Sequence, residues 1–375
     1  MIPNEDQLLI RDMARDFARE QIRPFAGQWA ENKSFPVKVL AGMGELGFFG
    51  MTTPAEWNGA GTDYVSYALA LMEIAGGDGA LSTVMSVTNS PVCAVLLAHG
   101  NDEQRERFLK PLAGGQHIGA FALTESHAGS DAAALRTRAR KKGAGYVISG
   151  TKQFITSAVI AKTTILFAVT DPEAGKNGIS AFVIPNDTPG FSVDKAEHKM
   201  GQMASETCGL RFDDMYVPAE CLLGQEGDGY RIALANLEAG RIGIAAQSVG
   251  MAQAALDYAI AYAKDRESFG KKIVEHQAVG FRLADMAAKL EAAKQLVLHA
   301  AALKDAKQPC LQQACMAKLI ASETAEQVCS AAVQTLGGYG YLTEYTVERI
   351  ARDVRVCQIY EGTSDVQRMI IARNL

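Results

Sequence analysis

The 375-residue chain carries no excess of positive charge. Its formal net charge is −5, so neither nucleic acid nor an anionic membrane surface is expected as a partner. The one dense basic cluster, Arg136, Arg138, Arg140, Lys141 and Lys142, reads as a solvated face. No apolar run reads as long enough to span a bilayer, and the Ala/Gly-rich stretch Ala245 to Ala255 is broken by Gln and reads as buried helix. The opening Met1 to Gln7 lacks a basic leader and an apolar core, so a cytoplasmic location is expected, a processed organellar form being the alternative. Seven cysteines, an odd number, are spread singly; this excludes a disulfide framework and points to a reducing compartment. Cys310 and Cys315 are the closest pair, with no ligand cluster around them, and His276 fits no zinc motif; no metal is expected. A G-x-G-x-x-G between strand and helix is missing, as are a P-loop and a nucleophile elbow. Hydride chemistry on a Rossmann scaffold is thereby excluded.

With 48% hydrophobic residues, the chain can bury a large core in two or three domains. Three textures succeed one another. Residues 1–117 read as helical, with Leu8, Leu9, Met13 and Phe17 at helical spacing before Pro24, and further helices over 37–46, 64–75, 80–97 and 102–112. Residues 118–228 read as β, with short strands at 120–123, 146–148, 153–156, 164–169, 179–184 and 210–212 bounded by Gly, Asn, Asp and Pro. A small barrel or sandwich is expected there. Residues 229–375 return to long helices, at 230–265, 277–306, 310–336 and 346–356, and suggest an up-down four-helix bundle. The fold class is therefore α+β, mostly α. There are no internal repeats and no low-complexity tract.

Chemistry is concentrated in a few segments. Ile359-Tyr360-Glu361-Gly362-Thr363-Ser364-Asp365 sets one carboxylate between an aromatic ring and a glycine. Gly permits a sharp turn and the close approach of a flat ligand. Burial beside a ring raises a carboxyl pKa, which suits a base that removes a weakly acidic C–H proton. A solvated loop is the plainer reading of that run alone. Thr124 to Asp131 follows the apolar Phe121-Ala122-Leu123 and offers hydroxyls and backbone N–H groups at a strand end, or an ordinary turn. Phe154-Ile155-Thr156 closes another strand with a ring and a hydroxyl, or packs into the core. Arg266 in Asp265 to Gly270 suits a phosphate or a helix C-terminus, and Gln334 to Gly340 suits a ligand or a glycine cap.

In this order and at these separations, the segments resemble the acyl-CoA dehydrogenase family across essentially the whole chain. The motifs are Ala122-Leu123-Thr124-Glu125 with Gly129-Ser130-Asp131, Gly240-Arg241-Ile242-Gly243-Ile244, Asp265-Arg266 with Phe269-Gly270, Gln334 with Gly337-Gly338, and Arg352-Asp353 leading to Ile359-Tyr360-Glu361-Gly362-Thr363. The stretch Gly240 to Ala255 is most similar to short-chain and short/branched-chain members.

The resemblance implies a helical domain, a β-barrel and a four-helix bundle, with FAD bound between them in a homotetramer. It implies that Phe121, Leu123, Thr124, Gly129 and Ser130 line the flavin, with Ser130 also opening the CoA channel. Phe154, Ile155 and Thr156 would pack on the isoalloxazine. Arg266, Phe269, Gln334, Gly337 and Gly338 would reach the FAD of a neighbouring subunit, and Thr363 and Asp365 would also touch the cofactor. Glu238 and Arg241 would lie near the CoA arm and the site floor, with Tyr360 and Gly362 beside the substrate. Some members carry the catalytic Glu just before the residue matching Arg241; Gly240 stands there, which leaves the role to Glu361. Ser126 and His127 replace the family's usual Pro and small residue, and His127 is expected in an exposed turn. The implied reaction is α,β-dehydrogenation of an acyl-CoA, with an electron-transfer flavoprotein as acceptor. Oxygen as acceptor would make it an oxidase, and a colourless protein inert to acyl-CoA would make it a non-catalytic scaffold.

Overall fold

The computed structural model describes residues 1–375. Helices α1 (Glu5–Phe17), α2 (Ala26–Asn32), α3 (Val37–Glu45), α4 (Tyr64–Gly77), α5 (Gly79–Val87), α6 (Ala94–His99), α7 (Asp102–Gln104) and α8 (Lys110–Ala113) come first. The starts of α1, α4, α5 and α7 follow from side chains that satisfy the orphan N–H groups. Asn4 and Gln7 form a reciprocal capping box at α1, and Asp63 caps α4 through the Ser66 N–H at 2.6 Å. Asp78 caps α5 in the same way through Leu81.

Strands β1 (Gly119–Ala122), β2 (Arg138–Lys142), β3 (Gly145–Thr156), β4 (Thr163–Val169), β5 (Ile179–Pro185), β6 (Phe191–Ala196), β7 (Thr207–Pro218) and β8 (Leu222–Leu223) form one sheet in the order β6-β7-β3-β2-β4-β5-β8, with β1 parallel to β4. The expected barrel is corrected here: β6 and β8 remain edges, so the sheet curls without closing. The basic cluster proves to be strand β2, with Ala139 buried and Arg138, Arg140, Lys141 and Lys142 exposed. One sheet face, with Ile165, Phe167 and Val183, packs on Val92, Leu96 and Phe108 of the N-terminal helices. The other encloses Leu166, Phe182, Leu210 and Phe212.

The third region holds α9 (Gly229–Asp265), a small hairpin of β9 (Glu267–Ser268) and β10 (Lys271–Lys272), then α10 (Gln277–Asp305), α11 (Leu311–Leu336), α12 (Thr346–Val354) and α13 (Ser364–Arg373). The last helix goes beyond the sequence reading. Helix α9 is the axis of the molecule: Gly240, Ile242, Ala245, Ala246 and Val249 are buried, and it packs on α4, α10 and α11. Small side chains permit that close approach; a Cβ at Gly250 would run into the Met72 carbonyl of α4. The N- and C-terminal helices thus share one core, with Tyr67 and Leu71 in the same cluster as Ile242, Val297 and Val328. By length and hydropathy the stretch Gly79–His99 does reach the membrane-spanning range, contrary to the sequence reading. Its apolar window is 83% buried in this core, and Ser90 leaves the helical conformation in its middle.

Candidate active site

The segment after α12 ends in a turn that L-residues rarely adopt. Glu361 has φ +56 and Gly362 φ +88. Holding a Glu there costs on the order of 1 kcal/mol and requires bracing. The bracing comes from both sides. Lys318 Nζ of α11 donates to the Gly362 carbonyl at 2.8 Å. Gln367 Nε2 of α13 donates to the same oxygen at 2.8 Å and to the Glu361 carbonyl at 3.3 Å. Thr363 caps α13 by accepting from the Val366 N–H at 3.3 Å, which fixes where the turn ends. Before the turn, the Tyr360 hydroxyl points into the interior, donates to Gln247 Oε1 of α9 at 2.6 Å and accepts from Gln202 Nε2 at 3.4 Å. Gln202 in turn accepts from Thr83 at 2.7 Å. The ring of Tyr360 is thereby an anchor for the turn.

The carboxylate this turn presents is buried at one oxygen: Glu361 Oε2 has no hydrogen-bond partner. It lies in space left open by Gly240, where a Cβ would overlap that oxygen. Burial pushes the Glu361 carboxyl up to about 7, against the opposing pull of Arg241 and Lys318. Arg241 is 4% exposed and its Nε is unpartnered. The Glu361 N–H makes no intramolecular hydrogen bond. A high-pKa carboxylate and a free N–H therefore sit on one residue. Behind them α4, α5 and α9 close tightly: buried Tyr67 donates to Ser86 Oγ at 3.4 Å, and a Cβ at Gly243 would stand 2.8 Å from that Oγ and 3.0 Å from the tyrosine oxygen.

At the sheet end, the register between β3 and β7 slips between Lys152 and Ile155. The resulting bulge puts Phe154 at φ +60 and leaves its ring 61% exposed. Ile155 turns inward, and Thr156 pairs with Thr207. The Gln153 N–H donates to the Thr124 carbonyl at 2.9 Å, joining the two strand-end motifs the sequence singled out. Leu123 contributes its carbonyl to Lys152 Nζ at 2.9 Å, and Phe121 packs on Phe167 at 5.0 Å between centroids. Gly129 and Ser130 are exposed, with open space where a Gly129 Cβ would be. A bare aromatic face, an open glycine and the buried, unpartnered Ser157 Oγ one residue past β3 suit a planar polar ligand. His127 lies in an exposed turn, its Nε2 3.2 Å from the Ala134 carbonyl.

The remaining residues are distributed. Arg266, Gly337 and Gly338 line one cavity of about 380 Å³, with the Arg266 guanidinium 5.6 Å above the Tyr339 ring. Gln334, whose carbonyl accepts from the Gly337 N–H at the end of α11, turns its side chain to an adjoining groove with Arg282, Glu326 and Gln358. Phe269 stands on the hairpin, 95% exposed. Glu238 is paired with Lys304 at 2.7 Å and lines a groove of about 500 Å³ with Lys176, Tyr230 and Arg231. Asp365 faces solvent and meets Arg368 at 3.5 Å. The sequence reading missed Lys318, Gln202, Gln247 and Gln367. A lysine and three glutamines inside Ala-rich or turn segments carry no pattern of their own.

A carboxyl raised by burial, an exposed ring and a three-region architecture suit a flavin-type oxidoreductase site on a mostly helical scaffold. The chain belongs to the acyl-CoA dehydrogenase family: residues 4–116 match its N-terminal domain, 120–215 its middle domain and 227–375 its C-terminal domain. It is 48% identical over 371 residues to an acyl-CoA dehydrogenase of Bacillus subtilis (strain 168), covering 99% of this chain and 98% of that protein. It is 45% identical over 374 residues to the mitochondrial short-chain specific acyl-CoA dehydrogenase of Rattus norvegicus, covering 100% and 90%. Among solved structures it superimposes on a chain from the work on the electron transferring flavoprotein of Acidaminococcus fermentans, with TM-score 0.98 and 44% identity, covering 100% of this chain and 98% of that one. The protein is thus an acyl-CoA dehydrogenase, a family of FAD-using flavoproteins.

Proposed function

We propose that Glu361 is the base that removes the α-proton of a short acyl-CoA thioester, and that the electrons pass to an electron-transfer flavoprotein. One observation carries this reading: a buried carboxylate with an unpartnered oxygen and a pKa near neutrality shares its residue with a free N–H. That N–H can donate to the thioester carbonyl and stabilise the enolate that develops as the proton leaves; one such donor is worth about 3–4 kcal/mol. The carboxylate receives the proton at Oε. A pKa of about 7 matches donor and acceptor while leaving a large ionised fraction at neutral pH. FAD, when bound, supplies the acceptor at N5 for the hydride that leaves Cβ. Phe154, with Thr156 and the Thr124 to Ser130 turn, would hold its ring system. Arg266, Gly337 and Gly338 would meet the distal part of the cofactor across a subunit boundary in a homotetramer. Lys176 and Arg231, near Glu238, offer cations to the CoA phosphates.

The short acyl preference is supported by the closed packing of Tyr67, Ser86 and Gly243 behind Glu361, and by the name of the Rattus norvegicus relative. The acceptor is supported by the likeness to the Acidaminococcus fermentans chain. Glu361→Gln tests the base. It is expected to keep flavin and CoA-ligand binding and to lose turnover by about 10²–10⁴-fold, the scale of a general base. Anaerobic flavin bleaching by a panel of CoA thioesters reads both; bleaching at the wild-type rate by this variant would remove Glu361 from the role.

A further inference from the structure

Lys318 is a buried lysine without an acidic partner. It is 0% exposed, it lies two turns into α11, and it makes no ion pair within 4.0 Å. Its single hydrogen bond goes to the Gly362 carbonyl, at 2.8 Å. Leaving an ammonium in the interior with one neutral acceptor costs several kcal/mol, and an Ala or Leu would fit an Ala-rich helix at no such cost. The groups around it explain its retention. Glu361 faces it from the turn, Arg241 from α9, Cys357 from the segment after α12, and Cys315 from one turn earlier on α11. Of these only Glu361 is an acid. Around Glu361 the charged neighbours are Arg241 and Lys318, with the Tyr67 hydroxyl from α4 the other titratable group facing it. Arg241 lies on the same helix as Gly240, under the carboxylate, whereas Lys318 reaches the turn from the opposite helix and grips its backbone.

We propose that Lys318 is a positioning residue for the reaction: its ammonium clamps the left-handed Glu361–Gly362 turn and supplies the positive charge that keeps the Glu361 carboxylate ionised near neutral pH. The inference rests on the reading of Glu361 as the base. The two functions are separable. A neutral donor at position 318 keeps part of the clamp and loses the charge; an apolar side chain loses both. Burial has already pushed the Lys318 ammonium down to about 8, so it is still charged where Glu361 titrates.

The test compares wild type, Lys318→Met, Lys318→Gln and Glu361→Gln as flavin-loaded proteins. The acid limb of kcat/KM is measured across pH, and in parallel the protonated-carboxyl infrared band is titrated, each protein being referenced to its own Glu361→Gln counterpart. Removing a cation that favours the carboxylate raises the carboxyl pKa, so the acid limb moves to higher pH. Lys318→Met is expected to move both titrations up by about one pH unit, which is about tenfold in the ionised fraction on the acid side. It should also lower kcat on the alkaline plateau, because the turn is looser. Lys318→Gln is expected to move the titrations similarly while keeping more of the plateau kcat. A purely structural lysine would lower kcat equally at every pH. Unmoved titrations in both variants, alongside a dead Glu361→Gln, overturn the proposal and leave the base in place. A fully active Glu361→Gln overturns the base itself and this inference with it. Should Lys318→Met fail to retain flavin, Lys318→Gln alone decides between the two outcomes.

Discussion

Two glutamates with buried carboxyl oxygens meet opposite fates in this molecule. Glu125, in the turn after β1, is 4% exposed and saturated with partners. Lys152 Nζ donates to it at 2.9 Å, and the N–H groups of Arg136 and Thr137 at 2.7 and 2.9 Å. Burial alone would raise its pKa, but the Lys152 charge and these donors hold it below the usual carboxylate value. Glu361 is surrounded by cations that stop short of it and keeps one oxygen with no donor at all, so burial wins and its pKa rises to about 7. The first arrangement ties the strand-end loop to β3 and leaves nothing to react. The second leaves capacity unused, at a cost in stability, which is the condition for accepting a proton from elsewhere. Burial of a carboxylate alone does not distinguish structure from chemistry; the presence or absence of satisfied lone pairs does.

The largest effect that would break this contrast is in the sheet. Glu125→Ala strips Lys152 of its only acidic partner, and Lys152 is completely buried, with its ammonium already pushed down to about 8. An uncompensated buried charge costs about 3–5 kcal/mol, and the double variant Glu125→Ala with Lys152→Met is expected to recover most of that loss. Urea unfolding followed by tryptophan fluorescence and far-ultraviolet circular dichroism checks it. A loss under 1 kcal/mol, or no recovery in the double variant, would mean that the pair is not what holds this loop. The sign with pH is fixed as well. A depressed carboxyl pKa stabilises above the unfolded value and loses its contribution as pH falls through the folded value, so the Glu125 contribution should fade in acid.

The contrast was half legible beforehand. The Tyr360-Glu361-Gly362 run, Thr124 to Ser130 and Phe154 to Thr156 all announced themselves as rings, hydroxyls and glycines at element ends, and the structure sets the latter two side by side. The long helices were legible from their apolar periodicity. Strand β2 was not, because Arg138, Arg140, Lys141 and Lys142 surround the single inward Ala139 and the run reads only as charge. Strand β6 was missed for the same reason, with four exposed residues out of six. Whether the sheet closes depends on pairing between distant strands, which no local pattern encodes. Helix α13 is hidden because its cap, Thr363, and its first turn carry the hydroxyls and the acid of a ligand-contacting loop. Lys318 and Gln202 were invisible for a deeper reason: their importance lies in what they reach across the core, and α11 and the loop before β7 carry no sign of it.

The second prediction concerns the cost of the open oxygen. Glu361 has a folded pKa of about 7 against an ordinary 4.5, so its protonated form is favoured by folding. The stability that this provides is complete below the unfolded pKa and is lost as pH rises through the folded value. Wild type should therefore lose stability between these two pH values, whereas Glu361→Gln, which cannot ionise, should not. At pH 8 the variant is expected to be more stable by about 3 kcal/mol, falling towards zero in acid. Denaturant midpoints of both proteins along a pH series check this. A variant less stable than wild type at every pH would show that the glutamate is held by favourable contacts after all, and the contrast with Glu125 would dissolve.

The smallest effect sharpens the contrast from the neighbouring residue. The Tyr360 hydroxyl makes its shortest bond to Gln247 at 2.6 Å, on the side away from the Glu361 turn. Gln247 Nε2 is separately held by the Gly79 carbonyl at 2.9 Å and Ser82 Oγ at 2.7 Å, so the amide keeps its orientation when the tyrosine hydroxyl is gone. Tyr360→Phe thus leaves one buried acceptor unpaired while the ring still fills its place, a loss of about 1 kcal/mol in stability. Turnover should change by less than about threefold, since no donor to the reacting groups is removed. The pH at which Glu361 titrates should also stay put, because the hydroxyl is neutral throughout the working range, its own pKa being raised well above the ordinary value by burial. A large fall in turnover with unchanged stability would place the hydroxyl in the chemistry, and the turn's anchor would have to be sought in Lys318 and Gln367 alone.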